Sequence, residues 1–353
     1  MSKFFSSKYA SLVPYTPGEQ PRDMQYIKLN TNESPFPPSP KAQVAASEAA
    51  KYLHLYSDPT AKKLNEAMAE LYKVDPECIF MTNGSDEILN FAFMAFCDES
   101  HPAVFADITY GFYSVFADIN RLPSTIVPLH DDFTLSVDDY INIPGTVFIA
   151  NPNAPTGLLL PPSEIERLLK ADPNRIVVID EAYIDFGGES CIPLTEKYDN
   201  LLVTGTFSKS RSMAGARLGF GIANKELIRD LNTIKYSTNP YNVNSMTMAA
   251  GIGCLSDEAY TRQNCQKIMQ ARDYTAKELQ KLGFTLTDSK TNFVFARHPE
   301  IDGEELYLKL RQKGILVRHF KTEKIKDYNR ITVGTMEQME IFVKTIKEIL
   351  NLT

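Results

Sequence analysis

The chain has 353 residues, and at roughly 150 residues per domain this length suggests about two domains. Hydrophobic residues make up 43% of the sequence and charged residues 23%, which is ordinary globular usage and excludes a disordered chain or a fibre. The 37 basic and 44 acidic side chains give a net charge of −7. This charge argues against broad nucleic-acid binding, which requires a basic surface.

Five cysteines are scattered along the chain, at Cys78, Cys97, Cys191, Cys254 and Cys265. No two of them have the spacing of a zinc site or a redox motif, so the sequence predicts neither a bound metal nor a disulfide scaffold. The N-terminus does not have the pattern of a secretory signal, and no apolar run reaches the roughly 18 residues needed to span a bilayer. We therefore expect a cytoplasmic protein with reduced thiols and no membrane partner.

The first part of the chain separates into two regions by composition. Residues 1–40 are rich in turn-forming residues, which predicts an extended N-terminal arm. We expect this arm to pack with the small C-terminal domain. In residues 41–245, short apolar runs alternate with helical patterns, which predicts a large α/β domain whose mainly parallel sheet lies between helices. Strands are predicted at 104–106, 147–150, 176–180, 201–204 and 218–222, and helices at 88–96 and 165–170.

Residues 246–353 have a different pattern, which predicts a smaller α+β domain. A charged helical pattern over 257–282 ends before Gly283, a residue favoured just beyond a helix C-terminus. Strand-like segments follow at 292–296, 315–318 and 330–333. Apolar residues from Met336 to Leu350 then recur at helical spacing and predict a closing helix.

Chemically useful side chains follow several predicted strands of the large domain. Asp180 ends one strand with Tyr183 three residues later, and the next strand leads into Lys209 and then Arg217. Another strand runs into a turn rich in Asn, Pro and Gly over 151–157, and a predicted helix begins near Ser85 and Asp86, where free N–H groups can bind an anion. Parallel sheets bind ligands beyond the carboxyl ends of their strands, so these groups should meet. An amine, a carboxylate, a phenol and anion-binding groups together suit pyridoxal phosphate.

Ordered motifs along nearly the whole chain resemble the histidinol-phosphate aminotransferase family, within the class II aminotransferases of fold type I. The matching stretches are Tyr15 in the arm, 29–35 (LNTNESP), 84–87 (GSDE), 110–111 (YG), 180–183 (DEAY), 208–209 (SK), 217–219 (RLG), 240–244 (PYNVN) and 330–334 (RITVG). The resemblance implies a fold-type I transferase with pyridoxal 5'-phosphate as its cofactor.

The resemblance also implies roles for individual residues. Lys209 would form the Schiff base with the cofactor and move the substrate Cα proton, Asp180 would pair with the ring nitrogen, and Tyr183 would donate to the ring oxygen. Tyr110 would stack on the ring. The cofactor phosphate would be bound by Ser85, Asp86, Ser208 and Arg217, and by Tyr56 of a partner subunit, which implies a homodimer with shared active sites.

One position departs from the family pattern. The family places an asparagine directly before the Pro-Thr-Gly of residues 155–157, where it binds the ring oxygen, but this chain has Ala154 there. Either Asn153 takes over that contact, or Tyr183 holds the ring oxygen alone. The sequence leaves both alternatives open, and Asn153 is retained as a candidate cofactor contact.

The same resemblance suggests the substrates. Arg330 would bind the carboxylate of the keto-acid acceptor and, with Arg318 and Tyr15, the phosphate of the amine donor, because a guanidinium can bind either anion through two hydrogen bonds. Tyr241 and Asn242 would line the pocket. We therefore predict ping-pong transamination between histidinol phosphate and 2-oxoglutarate. A threonine-phosphate decarboxylase and an aromatic amino-acid aminotransferase remain alternatives.

Overall fold

The computed structural model of the protein describes residues 2–351. The strands are β1 (Ile27–Lys28), β2 (Ile79–Thr82), β3 (Ala103–Ala106), β4 (Ser124–Val127), β5 (Thr146–Ala150), β6 (Val177–Asp180), β7 (Leu201–Thr206), β8 (Gly219–Ile222), β9 (Thr285–Leu286), β10 (Phe293–Arg297), β11 (Ile315–Leu316), β12 (Arg318–His319) and β13 (Asn329–Thr332). The α-helices are α1 (Pro40–Ala49), α2 (Lys62–Tyr72), α3 (Ser85–Phe96), α4 (Phe112–Asn120), α5 (Asp138–Ile141), α6 (Pro162–Ala171), α7 (Lys225–Thr238), α8 (Ser245–Leu255), α9 (Glu258–Lys281), α10 (Gly303–Gln312) and α11 (Met336–Ile349).

A seven-stranded sheet with the order β2-β8-β7-β6-β5-β3-β4 forms the centre of the molecule. Strands β7, β6, β5, β3 and β4 run parallel to one another, whereas β8 is antiparallel to both β7 and β2. Every residue of β5, β6 and β7 is buried, as expected for parallel strands covered on both faces. The predicted α/β fold with a mainly parallel sheet is confirmed.

The two faces of this sheet are covered by different helices, because alternate strand residues point to opposite sides. Val177 and Ile179 belong to a core cluster that includes buried side chains of α2, α6 and α8. Val178 belongs to the cluster on the other face, with α3, α4 and α7. Continuous apolar runs such as the one in β6 are therefore required by burial on both faces.

A second, antiparallel sheet of order β12-β13-β10-β9 forms the smaller part of the fold with α9, α10 and α11, whose apolar faces share one core cluster. The arm reaches this part, because β1 pairs in parallel with β11 and Leu29 is buried in the same cluster. Helix α8 packs instead with α1 and α2 under the large sheet. Residues 246–255 thus lie with the large sheet, although the sequence analysis placed them in the small domain.

Two further findings concern the described part of the chain. Within residues 2–351, no helix is both long enough and apolar enough to cross a membrane. All five cysteines are free thiols, and four of them are buried.

Candidate active site

A cavity of about 320 Å³ lies at the carboxyl ends of β5, β6 and β7. Because these strands are parallel, Ala150, Asp180 and Thr206 end at one edge of the sheet. The residues lining the cavity include most of the predicted cofactor contacts, namely Ser85, Asp86, Tyr110, Asp180, Tyr183, Ser208, Lys209 and Arg217.

Asp180 presents a buried carboxylate to this cavity. Its side chain is about 5% exposed, and Tyr113 and Thr204 donate to its two oxygens over 3.4 Å each. Burial, reinforced by the negative charge of Asp86, raises the pKa of Asp180 to about 6. A cationic partner in the cavity would stabilise the ionised form, so the site favours a positively charged group beside this carboxylate.

Lys209 follows β7 and lines the same cavity. Its Nζ atom donates to the Thr31 carbonyl oxygen at 3.4 Å and lies 5.8 Å from the centroid of the Tyr183 ring. Glu33 also lines the cavity and binds Lys28 at 2.6 Å. Although burial opposes it, hydrogen bonds from Lys28 and Thr31 lower the pKa of Glu33, so this part of the cavity carries a fixed negative charge.

Another group of residues lining the cavity is suited to hold an anion. Helix α3 begins at Ser85, and Arg217 reaches its first turn, where Nη2 contacts Asp86 Oδ2 at 2.8 Å. Gly84 has φ +81°, and a Cβ atom there would collide with the Arg217 guanidinium. The helix N-terminus and the guanidinium can therefore approach one phosphate together.

The ring of Tyr110 is fixed by this same cluster. Its hydroxyl donates to Asp86 Oδ1 at 2.5 Å. Burial, followed by the charge of Asp86, keeps the pKa of Tyr110 well above its ordinary value, so the phenol stays protonated. Ser208 is anchored nearby, because Thr206 Oγ1 accepts from the Ser208 backbone N–H at 3.1 Å.

In the turn after β5, the Asn153 side chain is held by hydrogen bonds to other protein groups. Its carboxamide accepts from Thr109 at 2.8 Å and donates to the Ile108 carbonyl oxygen and to Thr156, both at 2.9 Å. Pro152 and Ala154 line the cavity at this turn. Because these hydrogen bonds tie the carboxamide to Thr156 in the turn and to Ile108 and Thr109 in the segment after β3, the geometry does not support the predicted cofactor contact of Asn153.

A second cavity of about 450 Å³ adjoins the first and shares Lys209, Tyr183 and Tyr110 with it. Its lining includes the predicted substrate residues Tyr15, Arg318 and Arg330. The Arg330 guanidinium lies 5.3 Å from the Phe293 ring centroid and 5.7 Å from that of Phe320.

The hydrogen-bonding capacity of the two arginines differs. Arg330 Nη2 donates to the Asn30 carbonyl oxygen at 3.3 Å, whereas its buried Nε has no partner among the described residues. Burial lowers the pKa of Arg330. Arg318 donates to the carbonyl oxygens of Thr16 and Pro17 in the arm. An anion in the second cavity would supply the acceptor that Arg330 lacks.

Besides Asn153, three predicted site residues, Tyr56, Tyr241 and Asn242, lie outside both cavities of this chain. Tyr56 is 85% exposed and stacks on Tyr241, with ring centroids 4.7 Å apart. Asn242 is buried, and its amide donates to Glu87 at 2.6 Å and to the Met81 carbonyl oxygen at 3.2 Å. The Asn242 side chain is therefore used to hold the start of α3 rather than to line the pocket.

Asn32 and Glu33 are residues of the site that were not predicted from the sequence pattern. Asn32 Nδ2 donates to the Tyr183 hydroxyl at 2.9 Å. Both residues lie in the 29–35 stretch that resembles the family, and this was the available signal. Sequence spacing could not predict that they lie in the active site, because they are far along the chain from the strands whose ends form the cavity.

Comparison with known proteins gives one consistent result. Residues 24–346 match the family model for aminotransferases of class I and II. A histidinol-phosphate aminotransferase of Brachyspira hyodysenteriae is 51% identical over 352 residues, which cover 99% of both chains. The chain belongs to the histidinol-phosphate aminotransferase family.

Solved structures agree with this membership. The histidinol-phosphate aminotransferase from Clostridium acetobutylicum is 25% identical, with a TM-score of 0.85 over 92% of this chain and 99% of that one. The histidinol-phosphate aminotransferase from Sinorhizobium meliloti, solved in complex with pyridoxal-5'-phosphate, has the same fold, with a TM-score of 0.85 at 22% identity over 93% of this chain and 92% of that one. This aminotransferase is therefore a fold-type I enzyme that uses pyridoxal phosphate and acts on amino acids and keto acids.

The donor set of the first cavity fits that cofactor. Asp180 is a buried acid that needs a cationic neighbour, and Lys209 supplies an amine in the same cavity. The glycine at position 84 leaves room for the Arg217 guanidinium beside the start of α3, where both can bind an anion. These groups match the ring nitrogen, the aldehyde and the phosphate of pyridoxal phosphate.

Proposed function

We propose that this aminotransferase transfers the amino group between histidinol phosphate and 2-oxoglutarate in histidine biosynthesis, by a ping-pong mechanism. The observation that carries the substrate proposal is the second cavity, in which Arg330 has an unused buried donor beside Arg318 and Tyr15. Two guanidinium groups suit a dianionic phosphate in one half-reaction and a carboxylate in the other. The names of the full-length relatives support the same substrate.

We propose that Lys209 carries the cofactor and then moves the Cα proton of the substrate, while Asp180 stabilises the protonated ring nitrogen. Bound pyridoxal phosphate supplies the electron sink for this proton transfer. Tyr183 would donate to the ring oxygen and Tyr110 would lie against the ring. The phosphate would be bound by the start of α3, Ser208 and Arg217.

A comparison of substrates tests this proposal. Purified protein loaded with pyridoxal phosphate is assayed with histidinol phosphate, histidinol, phenylalanine and threonine phosphate, each with 2-oxoglutarate. We expect glutamate formation with histidinol phosphate at a much higher kcat/KM than with histidinol or phenylalanine. Release of carbon dioxide from threonine phosphate, or equal rates with and without the substrate phosphate, would contradict it.

The Arg330 guanidinium provides a prediction about substrate binding. Arg330→Ala should lower kcat/KM for both histidinol phosphate and glutamate by about 10- to 100-fold, because a charge-assisted hydrogen bond contributes about 1.5–3 kcal/mol. Arg297→Ala, at an exposed arginine of the neighbouring strand, is the matched control and should leave both values unchanged. A loss confined to one of the two substrates would contradict the alternating use of Arg330.

Arg217 provides a prediction about cofactor retention. Arg217→Ala should weaken pyridoxal phosphate binding by about 10- to 100-fold, while the rate at saturating cofactor changes less, because the guanidinium contacts the phosphate and not the reacting bond. Equilibrium dialysis measures the affinity, and Arg229→Ala, at an exposed arginine of α7, serves as control. Unchanged cofactor affinity would remove Arg217 from the phosphate site.

We further propose a homodimer with shared active sites. Exposed apolar side chains cluster in one segment after α1, where Tyr52, Leu53 and Leu55 are 55–60% exposed and Tyr56 is 85% exposed. Such an apolar surface is typical of an interface between chains. In the dimer, Tyr56 would reach the cofactor phosphate of the partner subunit.

We also propose that the protein is cytoplasmic. Its free thiols are consistent with this location.

Sedimentation tests the dimer. We expect the wild-type protein to be dimeric at micromolar concentration and Leu55→Asp to shift it towards monomer, because a charge would be buried in an apolar interface. Leu308→Asp, at a similarly exposed leucine of α10, should remain dimeric. Mixing Lys209→Ala with Tyr56→Ala subunits should restore part of the activity if the sites are shared. A monomeric wild-type protein would contradict the proposal.

A further inference from the structure

The cofactor cavity has Ala154 at the position where the family pattern has an asparagine that binds the ring oxygen. Ala154 offers a methyl group to the cavity, and the amide nitrogen of the neighbouring Asn153 donates to the Ile108 carbonyl oxygen and the Thr156 hydroxyl. Tyr183 lines both cavities, and its hydroxyl can donate to the ring oxygen, whereas the hydroxyl of Tyr110 donates to Asp86. We propose that Asn32, oriented by Thr332, is a positioning residue that directs the phenolic proton of Tyr183 into the cofactor cavity. This inference rests on the proposed cofactor site.

The direction of each hydrogen bond follows from the atoms involved. The Asn32 backbone N–H donates to Thr332 Oγ1 at 2.9 Å, so the hydroxyl oxygen accepts there. The single proton of that hydroxyl is then donated to Asn32 Oδ1, also at 2.9 Å. With Oδ1 accepting from Thr332, the Nδ2 end of the Asn32 amide faces the Tyr183 hydroxyl at 2.9 Å.

The direction of these hydrogen bonds determines whether the Tyr183 hydroxyl can act as a donor. Its oxygen accepts a hydrogen bond from Asn32 Nδ2, so the hydroxyl hydrogen of Tyr183 can be donated to another acceptor. The hydroxyl belongs to a residue lining the cavity, and a ring oxygen there would be the acceptor. If Asn32 were absent, the Tyr183 hydroxyl could rotate and donate in another direction.

The surroundings of Asn32 keep its amide in one orientation. Asn32 is 1% exposed and Thr332 is 3% exposed, so water does not compete for these bonds. The Asn32 backbone has φ +56°, a left-handed conformation that asparagine adopts more readily than most residues. Its carbonyl oxygen accepts from the buried Asn292 amide at 3.0 Å. Asn32 thus joins the arm to the small sheet and, through Tyr183, to the cofactor cavity.

The expected consequence concerns the protonation of the bound cofactor. A donor to the ring oxygen stabilises negative charge on that oxygen and so lowers the pKa of the imine formed with Lys209. A chain with Ala154 has one side-chain donor fewer at this oxygen, which makes the orientation of Tyr183 more important. Asn32→Ala should therefore raise the pH midpoint of the visible absorption band of the bound cofactor by about one pH unit.

Further variants of the enzyme loaded with pyridoxal phosphate test this inference through the pH midpoint of the visible band. Asn32→Asp, nearly the same shape, should raise the midpoint further, because a carboxylate would accept the Tyr183 proton. Thr332→Val should raise it in the same direction with little change in volume. Ala154→Asn, which adds a donor, should lower the midpoint and offset the rise in the Asn32→Ala protein. In a Tyr183→Phe background, Asn32→Ala should have no further effect.

The outcomes separate this inference from the function it rests on. If wild-type protein shows a visible band whose midpoint is the same in Asn32→Asp and Thr332→Val, the inference is wrong while the cofactor proposal stands. A midpoint shift by Asn32→Ala that persists without the Tyr183 hydroxyl would also overturn it. If the wild-type protein shows no visible band, the cofactor proposal fails and the inference fails with it. Thermal unfolding without cofactor establishes that each variant is folded.

Discussion

Replacement of Lys209 by alanine is expected to lower transamination by at least about 10⁴-fold, because in the proposed mechanism this one side chain supplies both covalent attachment of the cofactor and proton transfer. The visible absorption of the bound cofactor should be lost as well. The cavity is formed mainly by other residues, so the variant should still fold and should retain part of its cofactor affinity through the start of α3 and Arg217.

Stopped assays and borohydride reduction measure this effect. In wild-type protein, reduction followed by peptide mapping should label Lys209, and in Lys209→Ala no labelled peptide from this cavity should appear. Lys290→Ala is a suitable control, because that lysine is paired with Asp288 outside both cavities. Undiminished activity of Lys209→Ala would contradict its assigned role.

Replacement of Asp180 by asparagine is expected to lower the rate by about 10²- to 10⁴-fold, the range associated with loss of a positioned acid–base group. The neutral amide cannot stabilise a protonated ring nitrogen, so the electron-accepting capacity of the ring falls. Asp180→Glu should recover part of the rate because it retains the charge. The adjacent Glu181 provides a matched control, since it is buried to the same extent but accepts from Ser190 and the Cys191 backbone.

Although Asp180→Asn should lower the rate, it should raise the stability of the cofactor-free protein. The pKa of Asp180 is about 6 in the fold and 3.8 in the reference state, so the folded protein binds more protons between these values. The free energy of unfolding should therefore fall as pH rises from about 4 to about 6, by up to roughly 3 kcal/mol. Asp180→Asn should lack this loss and unfold at a higher temperature at pH 7. A variant less stable than wild type would contradict this reasoning.

The strand-end residues could be predicted from sequence for a simple reason. Buried parallel strands appear as apolar runs, and the residues following them must gather at one edge of the sheet. This rule predicted Asp180, Lys209 and Arg217 as site residues, and all three line one cavity. Strand β4 gave no comparable signal, since it lies at the sheet edge with two exposed residues among its four.

Other features depended on contacts that sequence spacing does not encode. Asn32 meets Tyr183 across 151 positions and Thr332 across 300, so only the assembled fold brings them together. The direction of the Asn153 amide was equally inaccessible, because it is set by the Thr109 and Thr156 hydroxyls. The predicted strand at 315–318 is divided between β11 and β12, which belong to different sheets.

The two halves of the reaction, separated in a single turnover, test the central claim most directly. Wild-type protein carrying pyridoxal phosphate is mixed with histidinol phosphate in the absence of any keto acid, and its spectrum is followed. We predict that the visible band disappears in proportion to the active sites, and that 2-oxoglutarate then restores it with one glutamate released per site. A spectrum that never changes, or one that recovers without a keto acid, would contradict the account.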